Sequence, residues 1–166
     1  MRLGFDMDGV LRKIDLARLW LAINTNIKDH PDKEWVEGFW NLNDIREPLL
    51  NPSLFALPED EIYVITNCLS EASREWKEMW IKHFYGDRIK LITISVATDK
   101  WGKEYVDPVA EAKLQIILAY RIELYIDDDP AIVRRMRKLI EERNVLEEYG
   151  YKPVILKYGA WIREWY

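Results

Sequence analysis

A chain of 166 residues, 49% of them apolar, is the size of one domain and long enough to bury most of its unfolded surface. A formal net charge of -5 and a pI near 5.2 argue against sequence-independent binding to long nucleic acid, which needs a basic face, but leave room for a local basic pocket around a single phosphate. One cysteine, Cys68, excludes an intramolecular disulfide and a four-cysteine zinc site, and two histidines, His30 and His83, offer little to a nitrogen-ligated metal. The N-terminal MRLGFDMDGV carries acids at positions 6 and 8, unlike the core of a secretory signal, and no apolar run approaches the roughly 18 residues of a membrane span. A cytoplasmic protein with no membrane partner is expected.

Along the chain, Arg2 to Phe5 reads as a short buried strand that stops at a carboxylate and a glycine. From Ile14 to Ile27, apolar residues recur at helical spacing (Leu16, Leu19, Trp20, Ile23, Ile27), and His30-Pro31 breaks the pattern. Glu34 to Trp40 reads as a second short helix, and Asn41 to Asp60, with Pro48, Pro52 and Pro58, as a connection. A second rhythm follows. Strands are predicted at Ile62–Ile65, Ile89–Val96, Ile122–Ile126 and Pro153–Leu156, alternating with helices at Ser70–Phe84, Pro108–Tyr120 and Pro130–Leu146. Such alternation implies right-handed βαβ crossovers and a parallel α/β sheet covered on both faces. The stretch 12–57 interrupts it and is expected to be a helical insertion over the sheet, within a single domain spanning 1–166.

Ligands of open parallel sheets bind at the carboxyl ends of the strands. The residues predicted there are Asp6, Asp8 and Gly9 after the first strand, Thr66 and Asn67 after the second, and Asp127, Asp128 and Asp129 after the fourth. Acids gathered on one rim repel one another unless a cation intervenes. An all-oxygen set of this kind suits Mg²⁺, not zinc. Asp129 before Pro130 has the form of a helix start and is assigned to capping. Asp127, expected as the first residue past its strand, is the preferred metal ligand, and Asp128 the second choice.

FDMDGVL resembles the first motif of the haloacid dehalogenase-like (HAD) phosphohydrolase superfamily, an apolar strand followed by Asp-x-Asp-Gly. IYVITN is similar to its second motif, Lys113 in AEAKLQII fits its third, and ELYIDDDP its fourth. The DMDGVL form, with Val10, is similar to the deoxyribonucleotidase-like branch. The resemblance covers residues 3 to about 130, with the motifs in order. It implies a three-layer HAD-like (Rossmannoid) fold with a helical cap after the first strand, and Mg²⁺-dependent hydrolysis of a small phosphate monoester.

By that resemblance Asp6 is the nucleophile, forming an aspartyl-phosphate, and Asp8 the general acid and then base. Asp6, Asp8 (through its carbonyl), Asp127 and Asp128 would ligate the metal. Gly9 permits the sharp turn. Thr66 and the Asn67 backbone amide would bind the phosphoryl group, and Lys113 would neutralise charge, with Lys100 and Lys103 as rivals. Asp8 favours phosphoryl chemistry over dehalogenation, which needs no acid there.

A nucleotide monophosphate is the first substrate class implied, with Trp20, Trp35, Phe39 and Trp40 of the insertion either core or a stacking surface. Two alternatives are a polynucleotide-end phosphatase and a non-catalytic binding or regulatory protein on the same scaffold. The basic run Arg134, Arg135, Arg137 and Lys138 reads as a solvated helix face, Cys68 as structural, and His30 and His83 as packing or surface residues. Nothing in the sequence specifies an oligomeric state.

Overall fold

The computed structural model describes residues 1–12, 48–96 and 103–158. Five parallel strands form one sheet in the order β3-β2-β1-β4-β5: β1 Arg2–Phe5, β2 Glu61–Asn67, β3 Ile89–Ile94, β4 Leu124–Asp127 and β5 Val154–Lys157. Helices α1 (Glu71–Tyr85), α2 (Lys103–Ala119), α3 (Pro130–Glu142) and α4 (Val145–Tyr149), with short 3-10 turns at Pro52–Leu54 and Gly86–Arg88, complete the described elements. Among the described residues no helix is long and apolar enough to cross a membrane.

The pleat sorts the strand residues between two cores. Leu3, Phe5, Ile62 and Val64 face α1, where Trp80 and Ile81 cover them. Tyr63, Ile65 and Tyr125 face the opposite way, under Val109, Leu114 and Ile117 of α2 and Ile132, Met136 and Ile140 of α3. The sheet is thus enclosed between helical layers, as the three-layer α/β expectation requires. Gly4 lets β1 pass close to β4, since a Cβ there would lie 2.7 Å from the Tyr125 ring.

Several element ends differ from the sequence reading. Strand β2 runs on to Asn67, so Thr66 and Asn67 are its last residues, paired with Thr93 and Ile94, and do not follow it. Asp127 likewise is the last residue of β4, opposite Lys157. A polar residue can close a strand when its backbone still finds a partner, which a pattern of side-chain hydropathy does not register. Helix α2 starts five residues before the predicted Pro108. A proline this near the start removes only one backbone bond, to the first turn. The single helix expected over Pro130–Leu146 is two, because Asn144 takes a left-handed conformation (φ 51°) between α3 and α4.

The two predicted insertion helices, with Trp20, Trp35, Phe39 and Trp40, lie outside the described residues. The flanks of that stretch meet: Arg12 and Pro48 form an antiparallel bridge, and the Leu49 amide donates to the Leu11 carbonyl at 2.8 Å. From there Leu50 and Pro52 are buried, and Leu50 joins the α1-side core.

Candidate active site

In the strand order, chain connections lead one way from β1 through β2 to β3 and the other way from β4 to β5. The switch point lies between β1 and β4, the place where open parallel sheets bind ligands. Asp6 follows β1 there, its amide donating to the Ile126 carbonyl of β4 at 2.8 Å. Asp127 ends β4 beside it. Lys113 reaches up from the buried face of α2 and donates to Asp6 Oδ1 at 2.8 Å and to Asp127 Oδ2 at 2.6 Å. Acids 121 positions apart thus share one ammonium. The Tyr125 hydroxyl also donates to Asp127 Oδ2, at 3.3 Å, while the Asp129 amide donates to Asp127 Oδ1 at 2.9 Å.

Asp6, Asp127 and Asp128 are buried, and each offers a carboxylate oxygen within 4.8 Å of the others. Three acids against one ammonium leave about two negative charges on an all-oxygen donor set, which fits a hard divalent cation such as Mg²⁺. Asp129 faces elsewhere. Its Oδ1 accepts from the amides of Ala131 (2.9 Å) and Ile132 (3.4 Å) and caps α3 with Pro130 behind it, as its sequence context predicted.

Gly9 sits at φ 84°, and a Cβ there would fall 2.2 Å from Asp128 Oδ2. The loop after β1 and the end of β4 are therefore in direct contact, which only glycine permits. Gly9→Ala is expected to cost about 1–3 kcal/mol through the strained φ and the displaced Asp128. Thermal unfolding would register this as a Tm lower by several degrees; an unchanged Tm would contradict the packing.

Asp8 stands in a second cluster. Arg12 Nε donates to its Oδ1 at 2.6 Å and Lys77 Nζ to its Oδ2 at 3.2 Å. Lys77 also donates to Thr66 Oγ1 at 2.7 Å and to the Asn67 carbonyl at 3.0 Å. Arg12 is buried, with its guanidinium 4.9 Å from the centroid of the Trp76 ring. Asn67 closes the loop after β3: its side chain accepts from the Val96 amide at 2.9 Å and donates to the Val96 carbonyl at 3.1 Å. Tyr105 of α2 lies close to the same groups. Burial pushes its hydroxyl up, against the influence of Lys113 and a hydrogen bond with the Asn67 side chain.

The two clusters titrate oppositely. Burial pushes the Asp6 carboxyl up and Lys113 pulls it down; with Asp127 and Asp8 adding repulsion, it is raised to about 7. Burial also acts to raise Asp8, but Arg12 and Lys77 outweigh it and hold that carboxyl well below the usual carboxylate range. Both lysines stay protonated. Burial opposes their charge, yet Asp127 and Asp6 raise Lys113, and Asp8 raises Lys77.

Sequence reasoning named Asp6, Asp8, Gly9, Thr66, Asn67, Lys113, Asp127 and Asp128, and the fold places all of them around the carboxyl ends of β1, β2 and β4. It missed Lys77, Arg12 and Tyr125. Lys77 had a legible signal: it shares the buried stripe of α1 with Ser73, Trp80 and Ile81, an odd place for a lysine without a partner. Lys100 lies outside the described residues, as does the side chain of Lys103.

No family model and no curated protein matches the chain. Among solved structures it is similar to the HAD domain of the effector protein Lem4 from Legionella pneumophila, with 13% sequence identity and a TM-score of 0.47 over 96% of this chain and 85% of that one.

Proposed function

We propose that this protein hydrolyses small phosphate monoesters, with Asp6 as nucleophile and Mg²⁺ as cofactor. The observation that carries the reading is the buried trio Asp6, Asp127 and Asp128 at the switch point of a parallel sheet, with Lys113 bonded to two of its members. Asp6, Asp127 and Asp128 are the side chains that would hold the ion. When bound, it supplies charge neutralisation between the attacking carboxylate and an anionic phosphate.

An Asp6 oxygen bonds to phosphorus as the ester P–O bond breaks, leaving an acyl phosphate on Asp6 and an alkoxide that needs a proton. A water oxygen then bonds to phosphorus, the P–O bond to Asp6 breaks, and the carboxylate returns with release of phosphate. Thr66 and the adjoining backbone hold the phosphoryl oxygens, and Lys113 balances charge on Asp6 throughout. Asp8, its side chain 36% exposed, is the acid open to an arriving substrate. In its bonded arrangement it is ionised. To protonate the leaving oxygen it must first part from Arg12 or Lys77 and take up a proton from solvent. Having given that proton to the alkoxide, it is the carboxylate that takes the water's proton in the second step. The DMDGVL motif makes nucleotide monophosphates the first substrates to try.

The test is turnover of p-nitrophenyl phosphate with Mg²⁺, then of a panel of nucleotides and of 3′- and 5′-phosphorylated oligomers. Turnover of a small ester, lost in EDTA, supports the reading. Folded protein silent on the whole panel points to a binding role instead.

The cation also has a signature that needs no substrate. Asp6 titrates near 7 when folded against 3.8 ordinarily, so between those values the folded chain holds the extra proton and stability falls as pH rises. In EDTA the Tm is expected to decline from about pH 5 to about pH 8. Mg²⁺ binding requires the ionised form, so its Tm increment should be larger at about pH 8 than at about pH 5. Differential scanning fluorimetry reads both, and equal increments at the two pH values would count against Asp6 as a ligand.

A further inference from the structure

We infer that Lys77 is a positioning residue: it fixes the direction of the Thr66 hydroxyl, so that Thr66 can meet an anion only as a hydrogen-bond donor. This rests on the phosphatase reading above for its ligand, but its geometry is independent of it.

A lysine ammonium has three N–H bonds and no acceptor. On Lys77 all three have protein partners: Thr66 Oγ1 at 2.7 Å, the Asn67 carbonyl at 3.0 Å and Asp8 Oδ2 at 3.2 Å. Lys77 is 3% exposed, so water does not compete for these bonds, and it has no donor left for a ligand. Its role runs through the groups it holds. Because an ammonium accepts nothing, Thr66 Oγ1 must accept the Lys77 N–H hydrogen bond through a lone pair, and its own O–H is turned away from Lys77. A threonine hydroxyl elsewhere is free to rotate between donor and acceptor. At the end of β2 it is held as a donor before any anion arrives, which removes the cost of reorienting it. The same ammonium ties Asp8 to β2, so the phosphate-binding hydroxyl and the acid beside it move as one unit.

The experiment is a double-mutant cycle on inhibition by inorganic phosphate, with kcat and KM for p-nitrophenyl phosphate read alongside in Mg²⁺. The proteins are wild type, Lys77→Gln, Thr66→Ala and the double variant. Glutamine offers Thr66 a carbonyl to donate to, so the hydroxyl can turn inward. Lys77→Gln should weaken phosphate inhibition by about tenfold, in line with loss of a hydrogen bond to a charged group. In the Thr66→Ala background the same change should have less than about a twofold effect. Equal losses in both backgrounds would overturn the inference, as would unchanged inhibition in Lys77→Gln. Should Lys77→Gln fail to fold by circular dichroism, Lys77→Arg decides: it restores donors without an acceptor, so near wild-type inhibition is expected, and a tenfold loss overturns the proposal. Failure of the phosphatase reading shows up separately. A wild type that binds phosphate by calorimetry without turnover removes the activity and leaves the cycle to be read from binding; a wild type that does neither removes both.

Discussion

Asp6→Asn should abolish turnover while leaving the protein folded. Asparagine keeps the shape of the side chain but lacks the anionic carboxylate, so the acyl phosphate of the proposed reaction cannot form. A fall in kcat of roughly 10⁴-fold or more is expected, as for other nucleophiles that act within a unit. The structural consequence runs in the opposite direction. Burial and the neighbouring Asp127 make the Asp6 charge unfavourable despite Lys113, raising its pKa to about 7. The neutral amide avoids that cost, so in EDTA at about pH 8 the variant should unfold at or above the wild-type temperature, and the Tm increment from Mg²⁺ should shrink. Steady-state kinetics with fluorimetry on the same samples separates the outcomes. A variant that kept the wild-type rate would remove Asp6 from the mechanism.

Lys113→Met should be the most damaging change to stability. Methionine roughly preserves the stem of the side chain, so what is lost is the ammonium that bonds Asp6 at 2.8 Å and Asp127 at 2.6 Å. Removing one partner from a buried ion pair typically costs about 3–5 kcal/mol, because the remaining charge is stranded out of water. For a chain of this size that corresponds to a Tm drop on the order of 10 °C. Acid should relieve part of it. Without Lys113, Asp6 loses a neighbour that lowers its pKa, so it holds its proton to higher pH. The gap from wild type should therefore narrow as pH falls to about 5. Mg²⁺ should narrow it too, by replacing the missing positive charge. If activity survives in Mg²⁺, kcat is expected about 10²- to 10³-fold lower, the usual loss for one electrostatic contact. A variant as stable as wild type at about pH 8 would mean that Asp6 and Asp127 do not share this lysine.

The reading from sequence was most reliable where chemistry is local. Asp129-Pro130 announces a helix start from two adjacent residues, and the cap is there. Strand β1 ends before Asp6 as expected, since a hydrophobic run halted by acids and a glycine has few other ways to fold. It was weaker where a backbone partner settles the matter. Whether Thr66, Asn67 and Asp127 end a strand or follow it depends on β3 and β5 lying alongside, a fact about the sheet and not about the residues.

By itself the sequence determined the α/β alternation, the acids that close β1 and β4, and the glycine beside them, because hydrophobic period and turn chemistry act over a few neighbouring residues. Only the tertiary structure decided how the charges are shared. Lys77 and Lys113 are both buried helix lysines, and nothing in their local sequence says that one serves Asp8 and Thr66 while the other joins Asp6 to Asp127. That division follows from α1 packing on one face of the sheet and α2 on the other, so each ammonium reaches the rim from its own side. In a water-poor site it is this placement that leaves Asp6 near neutrality and keeps Asp8 ionised.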